Sequence, residues 1–239
     1  MKNKIATGLI KLGLNLLEDK PLGVVNIPGW SDYKIRELRP DESLLTKAIN
    51  FTGSTHEHAR QLFDSHNLNA AIQGGKVLEI GGSYSQNSMG IFPEFEYLNL
   101  DIENNEKLPT IVGDITQPID LPDDYFDIIV SHQTFEHITE PWKAAQQMVR
   151  LLKPGGFCYV STVWSWRYHP VPIDYWRFSP DCLAFLFRDL QKLESNFNVG
   201  QRRSNIQGLW PNFADAVPVD YLGGWRENWS VYYAGTKPQ

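Results

Sequence analysis

Between Lys76 and Gly156, short apolar runs closed by Gly, Asp or Pro alternate with stretches whose apolar residues return every three or four positions. The first kind reads as strands and the second as helices. VLEI, Val77 to Ile80, is a first strand that runs into Gly81 and Gly82, and a short helix is expected after Ser85, stopping before Pro93. YLNLD (Tyr97 to Asp101), TIVGD (Thr110 to Asp114) and FDIIVS (Phe126 to Ser131) supply three more strands. Thr139 is placed to cap a helix with Pro141 in its first turn, running through Trp142, Ala145, Met148 and Leu152. KPGG, Lys153 to Gly156, then ends that helix and turns into a fifth strand, FCYVST. Repeated β-then-α alternation predicts a mainly parallel sheet covered by helices, with ligands at the carboxyl ends of the strands.

The flanks read differently. Ser54 to Glu57, STHE, matches a capping box for a helix that carries Ala59, Leu62 and Phe63 inward. Ile5, Leu9, Leu12 and Leu16 share a face of an earlier amphipathic helix, which suits packing on its own domain, a homodimer contact or a peripheral membrane contact. A Pro- and Gly-rich loop from Asp19 to Pro40 and a short helix from Asp41 to Asn50 complete an N-terminal extension, residues 1–53. Downstream, Ser179 and Pro180 begin another helix, and strands near Phe197 and at WSVYYAG complete the sheet edge.

Composition narrows the chemistry. A net charge of −6 opposes the electrostatic attraction that a nucleic-acid backbone exerts on clustered Lys and Arg, so a nucleic-acid substrate is disfavoured. Cys158 and Cys182 form neither a disulfide framework nor a metal spacing and fit a reducing, cytoplasmic setting. No run has the length of a membrane-spanning helix, and Lys11 and Asn15 interrupt the first apolar stretch, so a signal peptide is not expected.

An apolar strand that delivers Glu79 and then Gly81 and Gly82 into a turn opens a nucleotide pocket in α/β folds, because glycine lets a ligand approach the backbone. The ordered series VLEIGGSYS, YLNLD, GDI, FDIIVSHQTFEHI and LLKPGG resembles class I S-adenosylmethionine-dependent methyltransferases, of the type 11-like kind, over roughly Ala70 to Val163. The resemblance implies a Rossmann-like α/β fold, a seven-stranded mixed sheet flanked by helices, over residues 54–239, with S-adenosylmethionine as cofactor. It also implies cofactor contacts at Glu79, Gly81, Gly82 and Ser83. Asp101 and Ile102 would serve the ribose, Asp114 and Ile115 the adenine, and Ser131 and His132 the neighbourhood of the sulfonium. Where the family shows GxGxG, this chain has Gly81, Gly82, Ser83, Tyr84 and Ser85.

Methyl transfer to a hydroxyl needs positioning and a base for the departing proton. HPVPIDYWRF, His169 to Phe178, resembles a segment of bacterial methyltransferases of surface-glycan and secondary-metabolite pathways. This resemblance implies His169 as base, Asp174 to orient it, Tyr175 and Arg177 as donors to the acceptor and Trp176 as a stacking face; His137 also lies near a strand end. The same segment reads equally well as a structural corner, with Arg177 paired to Asp174 and Trp176 in the core. QTFEH resembles the ExxEH metal site of small-RNA 2'-O-methyltransferases, so Glu136, His137 and His169 form an alternative metal set, weakened by Gln133 standing where that family has a carboxylate. The absence of an NPPY-like tetrapeptide and of a Pro-Cys dipeptide argues against adenine-amino and cytosine-carbon acceptors. The expectation is O-methylation of a sugar or glycan in polysaccharide biosynthesis. Alternatives are an O- or N-methyltransferase of a small natural product and a non-catalytic methyltransferase-like partner subunit.

Overall fold

The computed structural model describes residues 54–82, 88–166, 168–170, 172–198 and 229–239. These all fall in one unit of the chain, Ala48–Gln239. The two helices and the loop expected between residues 1 and 53, together with Ser83, Tyr84 and Ser85, lie outside the described residues.

Seven strands form one sheet: β1 (Gly75–Ile80), β2 (Phe95–Asp101), β3 (Thr110–Val112), β4 (Phe126–His132), β5 (Leu152–Ser165), β6 (Gln191–Asn198) and β7 (Trp229–Thr236). Their order is β3-β2-β1-β4-β5-β7-β6, with β1 to β5 parallel and β7 antiparallel to both of its neighbours. The order reverses between β1 and β4, where a doubly wound sheet opens its crevice. Glu79, Asp101 and His132 all lie at carboxyl ends of strands around that point.

Alternation along the strands divides the core between the two faces. On one face Leu78, Ile80, Leu100, Ile129 and Val160 pack against α4 (Pro141–Leu151) and α5 (Pro180–Leu186). On the other, Val77, Ile128, Val130 and Tyr159 pack against α1 (Thr55–Ser65), through Ala59, Leu62 and Phe63. The remaining helices, α2 (Leu68–Ala71) and α3 (Ser88–Ile91), are single turns.

The helix starts follow local chemistry. Ser54 Oγ accepts from Glu57 N at 3.2 Å while Glu57 Oε2 accepts from Ser54 N at 2.7 Å, a complete capping box. Ser179 likewise caps α5 through Cys182 N. Thr139 does not cap α4. Glu140 occupies that position with no side-chain cap, and Pro141, which has no N–H to satisfy, opens the helix. KPGG also differs from expectation: β5 begins directly at Leu152, and the bend at Gly155 (φ 76°) is paired through Gly155 N to Lys237 O and Lys237 N to Gly156 O.

The α1 interface contains a buried histidine with a pH consequence. His58 is 3% exposed, and its Nδ1 lies 2.9 Å from Tyr159 Oη. Burial lowers its pKa from 6.5 to about 4, against a smaller opposing pull from Glu194. The unfolded chain therefore takes up a proton between about pH 6.5 and pH 4 that the folded chain refuses, and stability falls on acidification across that window. Denaturant midpoints measured from pH 7.5 to pH 4 should show this slope, and His58→Phe should flatten it; an unchanged slope in the variant assigns it elsewhere.

Candidate active site

Glu79 ends β1 with its side chain on the α1 face and is 1% exposed. Tyr97 donates to Oε2 at 2.5 Å, and His56 Nε2 lies 3.2 Å from Oε1. The turn that follows is fixed by Gly81 N to Leu100 O and Gly82 N to Asn99 Oδ1, both 2.9 Å. A Cβ on Gly82 would stand 2.7 Å from the Glu79 carboxyl carbon, so the turn is moulded on that acid. Ser83, the next expected cofactor contact, lies outside the described residues.

Asp101 is half-buried at the end of β2, and its Oδ1 accepts from Glu103 N at 3.2 Å. Beside it Ile102 is 59% exposed, an apolar side chain at the crevice rim with room for a planar group. Asp114 is exposed, with Oδ1 held by the amide and hydroxyl of Thr116 at 2.8 Å. Two expected contacts have different surroundings. Ile115 is 5% exposed and packs in the core with Leu78 and Phe135, while the Ser131 hydroxyl is fully buried and bonds Ile80 O at 3.3 Å.

His132 ends β4 on the α1 side, its ring tilted by 34° against that of His56 with centroids 3.8 Å apart, and close to Tyr159. Burial first, then the neighbouring His56 and His58, pushes its pKa well below the usual value, so it is a neutral ring.

A second constellation lies on the other face, in the loop and 3-10 turn (Phe135–His137) that follow β4. Glu136 is fully buried; Thr162 donates to its Oε2 at 2.7 Å, while Oε1 has no hydrogen-bond partner. Gln133, in the left-handed region at φ 52°, buries an unpartnered amide Nε2 in the same loop. Two of the three such orphaned atoms among the described residues therefore sit within four positions of each other. Orphaned buried polar atoms cost about 1–3 kcal/mol each, which makes this loop a candidate ligand site.

His169 stands beside Glu136. Its Nδ1 is 3.1 Å from Asp174 Oδ2, and its Nε2 is 3.8 Å from Glu136 Oε1. Asp174, 1% exposed, is held well below the usual carboxylate range, at about 2, by the Arg177 guanidinium and by the His169 backbone N–H. An ionised Asp174 fixes the proton on Nδ1 and leaves the Nε2 lone pair facing Glu136. His137 completes the group: its Nδ1 is 2.7 Å from Ile173 O, and its ring stands edge-on to His169 at 5.0 Å.

Arg177 has a different task from the expected acceptor contact. Its five N–H groups bond Asp174 Oδ1 and Oδ2, Trp166 O twice and Trp176 O, which makes it the clasp of the segment. Trp176 is 37% exposed with its Nε1 donated to Ile138 O at 2.9 Å, and Tyr175 is 43% exposed, so both rings present area to solvent beside the histidines. Site and corner coincide here, with Arg177 building the corner that holds Asp174.

Among the described residues two groups bring three ligand-type atoms within 4.8 Å of one another: Glu136, His137 and His169, and also His56, Glu79 and His132. The first fits a cation better. Both of its histidines have Nδ1 engaged by a carbonyl or carboxylate, as metal-bound imidazoles do, and Glu136 Oε1 is unpartnered. In the second, both Glu79 oxygens already have partners, His56 and Tyr97.

Comparison with known proteins agrees with this layout. Residues 71–160 match the family model described as "Methyltransferase domain". That stretch is similar to a methyltransferase domain. Over 61 residues it is 33% identical to an "Uncharacterized methyltransferase" of Mycolicibacterium vanbaalenii, covering 25% of this chain and 24% of that one. It thus spans about a quarter of that curated relative. Among solved structures, the [4+2]-cyclase SpnF superposes with a TM-score of 0.54 at 16% identity, over 75% of this chain and 81% of that one. Phosphoethanolamine N-methyltransferase 2 of Haemonchus contortus, in complex with S-adenosyl-L-methionine, superposes at 0.50 and 15% identity, over 77% of this chain and 57% of that one. These structural likenesses show the fold alone, a Rossmann-like seven-stranded sheet flanked by helices.

The sequence pattern did not single out His56, Tyr97 or Thr162. Tyr97 was legible in principle, since strand alternation puts it on the face of Glu79 in the neighbouring strand. His56 carried no signal beyond its place in the helix before β1.

Proposed function

We propose that the methyltransferase domain moves the methyl group of S-adenosylmethionine to a hydroxyl of a sugar or glycan acceptor. Because a protein named as a [4+2]-cyclase shares the fold, the fold does not choose the reaction, and the loop after β4 has to. The observation that carries the reading is the array Asp174, His169, Glu136, with the orphaned Gln133 Nε2 in the same loop as Glu136. An acceptor hydroxyl can accept from Gln133 and donate to His169 or Glu136, which suits a polyhydroxylated ring. The exposed faces of Tyr175 and Trp176 supply the stacking surface such a ring uses.

S-adenosylmethionine supplies a methyl group on an electrophilic sulfonium. Glu79, Gly81, Gly82, Asp101 and His132 bind and orient it at the β1/β4 crevice, with Ile102 and Asp114 on the adenosine side. His169 Nε2 takes the hydroxyl proton as the oxygen–carbon bond forms and the carbon–sulfur bond breaks, and the neutral thioether leaves. Asp174 and Glu136 stabilise the positive charge that arrives on the ring.

The unpartnered Glu136 Oε1 also favours a second reading, in which Glu136, His137 and His169 hold a divalent cation. A cation there would act as a Lewis acid toward the acceptor hydroxyl. The first cytoplasmic reading of the chain stays a proposal, as does any contact of residues 1–53 with a membrane or a second copy; among the described residues no helix is long and apolar enough to cross a membrane.

Calorimetry with S-adenosylmethionine tests the function directly. Binding is expected in the micromolar range, and no binding at high micromolar cofactor removes the enzyme reading. Methylation of a panel of sugar and small-molecule hydroxyls should then give a product with one added methyl. Unchanged turnover after chelation excludes the cation, and loss restored by zinc or manganese supports it.

A further inference from the structure

We infer that His56 is a positioning residue for the cofactor site, joining two adjacent strand ends that line it. The inference rests on the cofactor reading above and assigns a role to a residue that reading does not use. His56 is the second residue of α1, 8% exposed, and it reaches across the crevice at the reversal of strand order. Its Nε2 lies 3.2 Å from Glu79 Oε1 at the end of β1, and its ring lies against that of His132 at the end of β4, centroids 3.8 Å apart and planes tilted by 34°. With Tyr97 on Oε2, both oxygens of Glu79 are fixed, so the carboxylate cannot turn.

That orientation propagates. The Gly82 backbone packs on the Glu79 carboxylate, and Gly82 N is held by Asn99, so the plane of the acid sets the path of the chain into the glycine turn. On the other side the tilted ring contact with His56 restrains the His132 ring, whose pKa burial holds well below the usual value. One side chain on a capped helix therefore locks an acid and a ring side by side at the ends of β1 and β4. Preorganisation of this kind raises affinity by removing the cost of ordering those groups on binding.

His56→Leu keeps volume and removes the donor, and His56→Gln returns an N–H near the position of Nε2. Calorimetry with S-adenosylmethionine, the KM and kcat of methyl transfer and the melting temperature should be measured on both and on the parent chain. His56→Leu is expected to raise the cofactor Kd and KM by about tenfold or more, the scale of one hydrogen bond to a charged group, with kcat at saturating cofactor nearly unchanged. His56→Gln should restore most of that affinity. A cofactor Kd in His56→Leu equal to that of the parent overturns the inference. So does an equal loss in both variants that tracks a drop in melting temperature, since that is a packing role alone. A parent chain that binds no cofactor is a different result: it removes the proposed function itself.

Discussion

His169→Ala should lower methyl transfer by about 10²- to 10⁴-fold while leaving the affinity for S-adenosylmethionine within the error of a titration. The separation follows from where the groups stand. The cofactor-side residues Glu79 and His132 have their side chains on the α1 face, whereas His169 meets Asp174 and Glu136 beyond the 3-10 turn, under Thr162 of β5. Truncation leaves the clasp intact, because Asp174 keeps both Arg177 bonds and the His169 backbone N–H. The fold should therefore survive, with a melting temperature close to that of the parent chain. The rate against pH should lose its acid limb as well, since the group whose protonation switches the reaction off is gone. Normal turnover in the variant places the base elsewhere. Asp174→Asn refines the test: it keeps the shape but no longer fixes the proton on Nδ1, so turnover should fall with cofactor binding unchanged.

The parallel strands β1, β2 and β4 were legible from the chain alone as short apolar runs that end at turns, whereas β6, the mostly polar QKLESNFN, was expected only near Phe197. The helix starts at Ser54 and Ser179 were legible for a local reason, a side-chain oxygen aimed at a free backbone N–H. What escaped was non-local. The resemblance of QTFEH to a metal site sets Glu136 and His137 beside His169, but nothing in FDIIVSHQTFEHI says that Glu136 will meet Thr162, because that depends on how the chain after β5 folds back, and Tyr175 N and Trp176 N bond Glu136 O to close that return. Arg177 was ambiguous for a related reason. A guanidinium near an acid can serve substrate or scaffold, and only the count of its engaged donors decides.

Gly81→Ala should destabilise the domain by about 2–5 kcal/mol, and the reason sharpens what the glycine pair does. Gly81 has φ 77°, in the left-handed region that a β-carbon disfavours. The added Cβ would also stand 2.5 Å from Thr134 Oγ1, well inside contact. Thr134 cannot simply swing away, for its hydroxyl donates toward Ile80 O at 3.3 Å and His132 O at 3.1 Å, which ties the β1 turn to the end of β4. The steric part should be recoverable. In a Thr134→Ala background the added methyl meets less, so the penalty of Gly81→Ala should shrink by at least about 1 kcal/mol, measured as the coupling in a double-mutant cycle by denaturant unfolding. Additive penalties would mean that backbone strain alone sets the requirement. Glycine at 81 is therefore demanded by the protein's own atoms before any ligand arrives, and the pocket wall inherits its shape from the way β1 and β4 are tied.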